Sequence, residues 1–92
     1  MILVDEPMWP AHGRLWAHLV SDTSYQELHA FAGRAGIPRR AFDRDHYDVP
    51  ADRLPDLVGL GATRVSAKEL RNRLVASGLR VTMRERRATP PA

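Results

Sequence analysis

His46 and Asp48 stand two residues apart in Asp45-His46-Tyr47-Asp48-Val49-Pro50, and both are residue types that hold a proton or a metal ion. In an extended segment, side chains at i and i+2 project to one side, so the imidazole and the carboxylate converge while Tyr47 faces the other way. Such a pair can act as a general base, the carboxylate orienting the ring, or as part of a cation's ligand set. His18 is a third candidate. It lies in the apolar run Leu15 to Val20, where the period of two brings Asp22 to the same face at the strand's end. Asp5 closes the opening run Ile2-Leu3-Val4, at the carboxyl end of a strand, where ligands collect in open α/β sheets.

These residues define a candidate site. Asp5, His18, Asp22, His46 and Asp48 are the candidate metal ligands, and His46, Asp48 and His18 the candidate proton-transfer groups. Mixed imidazole and carboxylate ligands suit Mn²⁺, Zn²⁺ or Fe²⁺ better than an all-oxygen Mg²⁺ cage. A phosphorylated ligand would be held by Arg14, Arg44 and Arg53, because guanidinium binds phosphate bidentately. Tyr47 is a further ligand contact, with packing on the sheet's other face as its structural alternative. The sequence contains no His-Glu-x-x-His, no glycine-rich phosphate loop and no Gly-x-Ser-x-Gly, so no recognised catalytic motif organises the set.

The elements that must position the set read as a small α/β domain. Ile2-Leu3-Val4 is a strand, and Met8 to Arg14 a loop broken by Pro10 and Gly13. Leu15 to Val20 is a strand apolar on both faces, hence covered on both sides with His18 buried. Ser24-x-x-Glu27 opens a first helix with Leu28, Phe31, Ala32 and Ala35 on one stripe and Gly36 as its stop. Arg39 to Phe42 is a short strand from which the acidic turn Asp43-Arg44-Asp45 delivers the chain to His46-Tyr47-Asp48, residues 54–60 are a short helix, and Ala62 to Val65 a further strand. Ser66-x-x-Glu69 opens a last helix that buries Leu70 and Leu74 and stops at Gly78. The order is β-β-α-β-α-β-α: a single-layer sheet of four to five short strands with about three helices, at least the later strands being parallel. Residues 1–79 form the domain. Residues 80–92 are a basic tail, an edge strand over 79–84 and then disordered.

Composition sets limits. Ninety-two residues, 43% of them hydrophobic, suffice for one small core. The absence of cysteine excludes disulfides, thiolate ligands and a cysteine nucleophile. No basic segment or long apolar run marks the N-terminus, so a cytoplasmic location without membrane contact is expected. Residues 1–50 carry a balance of −2 and all four histidines, whereas residues 51–92 carry +5. Acid/base or metal chemistry thus belongs to the first half and any polyanion contact to the second.

Several stretches together resemble one family: Asp5-Glu6-Pro7, Trp9-Pro10, Gly13-Arg14-Leu15-Trp16, His18-Leu19-Val20-Ser21-Asp22, Glu27 to Ala32, His46-Tyr47-Asp48 and Gly61-Ala62 before Val65-Ser66. From residue 2 to about residue 78 the chain resembles the domain of unknown function 4031 family of small bacterial and phage proteins. That resemblance implies no established activity. Where it leads one to expect Lys-Arg after His46-Tyr47-Asp48, this chain has Asp52-Arg53.

The function that the residues support is binding of a divalent metal or a phosphorylated small molecule, with phosphoester hydrolysis as the natural reaction. The competing class is an accessory module without turnover. In one form it binds nucleic acid through the eight bases of residues 64–87. In the other it docks on a protein or a second copy through Trp9, self-association being left open.

Overall fold

The structure, a computed structural model, describes residues 1–82. Six strands form one mixed sheet: β1 Ile2–Val4, β2 Trp9–Ala11, β3 Arg14–Ser21, β4 Phe42–Asp43, β5 His46–Pro50 and β6 Thr63–Arg64. Three helices pack on it: α1 Tyr25–Arg34, α2 Leu54–Gly59 and α3 Ala67–Ser77. The α/β class agrees with the sequence reading; the element order matches it roughly, with β2 and one of β4 and β5 added to the expected strands. None of the described helices is long and apolar enough to cross a membrane.

The sheet runs β4-β5-β3-β1-β6, with β2 attached to β3. Only β1 and β6 pair in parallel; β1–β3, β2–β3, β3–β5 and β4–β5 are antiparallel. The expectation of parallel later strands is thus met by β6 alone, because two tight reversals impose antiparallel pairing. The first is His12-Gly13, both at positive φ (51° and 74°), the requirement of the two-residue turn whose twist suits a hairpin. It converts the expected loop at residues 8–14 into the hairpin of β2 and β3. The second is Arg44-Asp45, with Arg44 at φ 62°, which returns the chain so that β5 meets β3 antiparallel. Arg39–Ala41, expected in a strand, forms a 3-10 turn after Pro38.

Alternation along the strands divides the core in two. Ile2, Val4, Ala17, Leu19, Tyr47 and Val49 face α1 and α2, where they meet Leu28, Phe31, Leu54 and Leu57. Leu3 and Val20 face the opposite side and pack on Leu70 and Leu74 of α3. Both serine caps form as expected, Ser24 accepting from the Glu27 amide and Ser66 from the Glu69 amide. The Glu27 carboxylate does not reciprocate; it accepts from Ser21 and the Met1 amine instead. Gly78 ends α3 at φ 82°, a conformation that suits glycine.

Leu79 to Thr82 form no strand. The Leu79 side chain packs against the α3 core and its carbonyl accepts from the Tyr25 hydroxyl, while the Val81 amide is taken by Asp45. The rest of the expected edge strand and tail lies outside the described residues.

Leu57 is wholly buried between α2 and the sheet, so Leu57→Ala should cost about 2–5 kcal/mol in urea unfolding. His29 provides a pH test. Burial, reinforced by Arg39, holds its ring below the ordinary imidazole value. The unfolded ring therefore takes a proton more readily, and stability should be full above about pH 6.5 and decline as pH falls. His29→Gln should flatten that decline in pH-dependent melts.

Candidate functional site

The face of the sheet that carries Leu3 and Val20 also carries Asp5, Trp16, His18, His46 and Asp48, by alternation along β1, β3 and β5. Helix α3 covers only the Leu3–Val20 end. The register sets His18 directly opposite Asp48, where cross-strand side chains touch. One ligand atom each of His18, His46 and Asp48 lies within 4.8 Å of the others.

Each imidazole is gripped from behind by a buried carboxylate. Asp5, 3% exposed, accepts the His18 amide at 2.7 Å and its Nδ1–H at 2.9 Å, one bond per oxygen. Asp45, 1% exposed, accepts the His46 Nδ1–H at 2.7 Å. Its other oxygen accepts from the Val81 amide at 2.8 Å and from Arg80 Nη1 at 3.2 Å. With Nδ1 engaged on both rings, Nε2 is the nitrogen each has left to offer, and His46 Nε2 stands 3.0 Å from Asp48 Oδ1. Apart from this ion pair, the oxygen, shielded from solvent, has no well-directed hydrogen bond.

Electrostatics follow from these contacts. Burial disfavours a charge on His46, but the Asp45 hydrogen bond and the Asp48 carboxylate outweigh it and raise the ring to about 9. Burial alone would raise Asp45. The His46 and Val81 hydrogen bonds, with the charges of His46 and Arg80, bring it below the ordinary carboxylate value.

The structure separates the remaining candidates. Asp5 stands behind His18 rather than beside His46 and Asp48, because both its oxygens are already committed. Asp22, expected on the His18 face, is turned away where β3 ends and is held by the Met1 amine at 2.9 Å and by Arg73 at 2.7 Å. His18 is about a third exposed rather than buried, since α3 stops short of it. Tyr47 packs in the core on the other face, its hydroxyl 2.7 Å from His29 Nδ1, so it does not reach the site.

Two hollows flank the cluster. A cleft of about 280 Å³ lies between the sheet and α3, floored by Asp5, His18, Asp45 and His46 and walled by Arg44, Arg71 and Arg80. Arg71 has no ion-pair partner among the described residues. Arg14 and Arg53 are elsewhere, in a second hollow bounded by Trp16, Asp48, Ile37 and Pro50. Of the three arginines expected to bind phosphate, only Arg44 borders the first cleft. Asp45, Arg71 and Arg80 were missed as site residues. Asp45 lies in the acidic turn next to His46, which is the one local signal of its role; nothing local marks the other two.

A sequence model of the family described as "Protein of unknown function (DUF4031)" matches residues 2–77, a span holding every site residue named here except Arg80. No curated protein and no solved structure matches the chain.

Removing the Asp45 charge should be costly, because it leaves His46 and Arg80 facing a neutral group in a buried setting. Asp45→Asn is expected to lose about 2–4 kcal/mol in chemical denaturation. Asp43→Asn, a neighbour with a half-exposed side chain, should change stability by less than about 0.5 kcal/mol.

Proposed function

The chain belongs to the DUF4031 family of proteins of unknown function, and from its own geometry we propose that it binds a divalent transition-metal ion and hydrolyses a phosphoester. His18, His46 and Asp48 are the ligands, and Asp5 and Asp45 orient the two imidazoles. The observation that carries this reading is the pair of buried carboxylates, each on the Nδ1–H of a histidine, with one ligand atom of each histidine and of Asp48 within 4.8 Å of one another. Ligating histidines characteristically donate their second N–H to a carboxylate, which fixes the tautomer and aims the lone pair. Two such dyads converging beside a third carboxylate have no evident packing purpose. With metal–ligand bonds of about 2.1 Å, ligand atoms around an ion stand roughly 3–3.5 Å apart. The His46–Asp48 edge of 3.0 Å already has that length, and all three ligand atoms lie within 4.8 Å of one another.

Two histidines and one carboxylate leave coordination positions open, as catalytic rather than structural sites do. A bound divalent ion would activate water and polarise a phosphoryl oxygen. The arginines of the adjoining cleft suit the phosphate, Arg71 as an open guanidinium and Arg80 already oriented by Asp45. In the reaction, water oxygen bonds to phosphorus, the ester P–O bond breaks, and the departing oxygen takes a proton, giving an alcohol and a phosphate.

A second reading rests on the carboxylates at both His46 nitrogens: the ring serves as a fixed cation or proton donor toward a phosphate, without metal. Turnover or phosphate binding that survives complete chelation would favour it.

The test is elemental analysis of protein reconstituted with Mn²⁺, Zn²⁺ or Fe²⁺, alongside melts and turnover of a chromogenic aryl phosphate. Near-stoichiometric metal is expected, with Tm falling by about 5 °C or more on chelation and metal-dependent turnover. Asp45→Asn should weaken metal binding about 10- to 100-fold. Asp48→Asn should reduce metal content, and Asp22→Asn should leave it unchanged. Retention of none of the three metals, with an unshifted Tm, would refute the metal site.

A further inference from the structure

We propose that the phosphoester is a nucleotide, its base seated against the tryptophans beside the metal ligands and its phosphate in the arginine cleft; this rests on the reading above for the phosphate end. Trp9 and Trp16 face each other across the β2–β3 hairpin, ring centres 5.9 Å apart and planes within 23°. Trp9 also lies 6.0 Å from the His18 ring, which in turn lies 5.0 Å from His46. The aromatic pair thus runs directly into the proposed ligand set, at the end of the face that α3 leaves uncovered. Neither indole is fully buried.

The second hollow lies at this end. It holds about 330 Å³ and is bounded by Trp16, Ile37, Pro38 and Pro50, with Asp48 and Arg53 on its wall. Flat apolar surfaces with a metal ligand at the margin fit a planar ring joined to a phosphate. Unsatisfied polar atoms narrow the class of ring. Trp9 Nε1, Arg53 Nε and Asp48 Oδ1 are all shielded from solvent without a hydrogen bond, although Arg53 Nε stands 3.7 Å from Asp56 Oδ2 and Asp48 Oδ1 stands 3.0 Å from His46 Nε2, and buried polar groups of a finished structure seldom lack one. Both nitrogens are N–H donors, Trp9 on the β2 side of Trp16 and Arg53 in the hollow on its β5 side, so a ring stacked beside Trp16 should carry an acceptor on its edge, as a nucleobase does and a phenyl ring does not. The sugar then spans the short separation from Trp16 past Asp48 to His46.

A free nucleotide is favoured over a nucleic-acid strand by the charges around the site. Arg73, which would extend a basic track along α3, is neutralised by Asp22 at 2.7 Å and Glu69 at 3.9 Å.

The chain's two tryptophans are both in this pair, so its tryptophan fluorescence reports on this surface alone. Metal-loaded protein is titrated with the four common nucleoside 5′-monophosphates, ribose 5-phosphate and phenyl phosphate, by fluorescence and calorimetry. At least one nucleotide should change the emission and bind about tenfold or more tighter than ribose 5-phosphate, the scale of one base stacked on an aromatic side chain. Trp16→Leu should abolish that advantage while leaving ribose 5-phosphate affinity and metal content unchanged. Equal affinities for nucleotide and ribose 5-phosphate would overturn the nucleotide assignment and leave the metal site standing. So would a phenyl phosphate that matches the best nucleotide, or a short single-stranded oligonucleotide that binds far tighter than any mononucleotide. Failure of the metal reading itself shows separately, as absent metal in the same preparation, and the wild-type comparison holds even if Trp16→Leu does not fold.

Discussion

The carboxylate of Asp45 joins parts of the chain that no backbone pairing connects. It lies in the turn between β4 and β5, yet it is almost wholly buried, a position too costly for a charge unless it is paired and hydrogen-bonded. His46 supplies one partner from the next residue; Arg80 and the Val81 amide supply two more from beyond α3. The burial is affordable only with all of them in place. The segment after α3 is thereby fastened to the hairpin, and the Leu79 carbonyl, which accepts from the Tyr25 hydroxyl of α1, adds a second tie. With its C-terminal end fixed, α3 lies over Leu3 and Val20 and goes no further, so the cleft beside His46 stays open.

Asp5 has the corresponding role at the other imidazole, with less reach. It binds the His18 amide and ring together, while its own amide donates to the His18 carbonyl at 3.1 Å, so β1 and β3 remain joined one residue beyond the last paired strand residue. Both histidines are therefore rigid for reasons of main-chain structure. A ring fixed in tautomer and direction before any ligand arrives loses little freedom on binding.

The convergence of His46 and Asp48, with His18 on the same face, was legible because it depends only on the period of two within β5 and β3 and on the pairing of these strands. Helix ends at Ser24, Ser66 and Gly78 were legible for the same reason: caps are local chemistry. What escaped depended on distant partners. An aspartate in a charged turn reads as solvated, and Asp45 is buried only because residues 80 and 81 return to it. Asp22 has the right period to join His18, but the Met1 amine and Arg73 capture it where the strand ends. The β2–β3 hairpin was hidden by Pro10 and by a turn that needs positive φ at a histidine, which is less common there than asparagine or aspartate. Arg71 and Arg80 read as solvent-facing bases, and only the packing of α3 and the return of the chain after it make them walls of a cleft.

The two ends of this sheet face differ in how completely their polar atoms are satisfied. Under α3 the contacts are apolar and closed. At the uncovered end, Asp48 Oδ1 is shielded from water, sits 3.0 Å from a ring nitrogen and still lacks a well-directed donor. A proton on His46 meets the charge requirement of that oxygen without meeting its geometry. An ion placed between Nε2 of both rings and Asp48 would meet both, because coordination by a small cation tolerates approach directions that a single N–H does not. The same end holds the indole N–H of Trp9, also without a hydrogen bond. Local folding has satisfied the capping serines, both buried aspartates and the buried tyrosine elsewhere in the chain. The atoms that local folding leaves without a hydrogen bond at this end, Asp48 Oδ1 beside His46 and Trp9 Nε1 near His18, are the ones a bound ligand would complete.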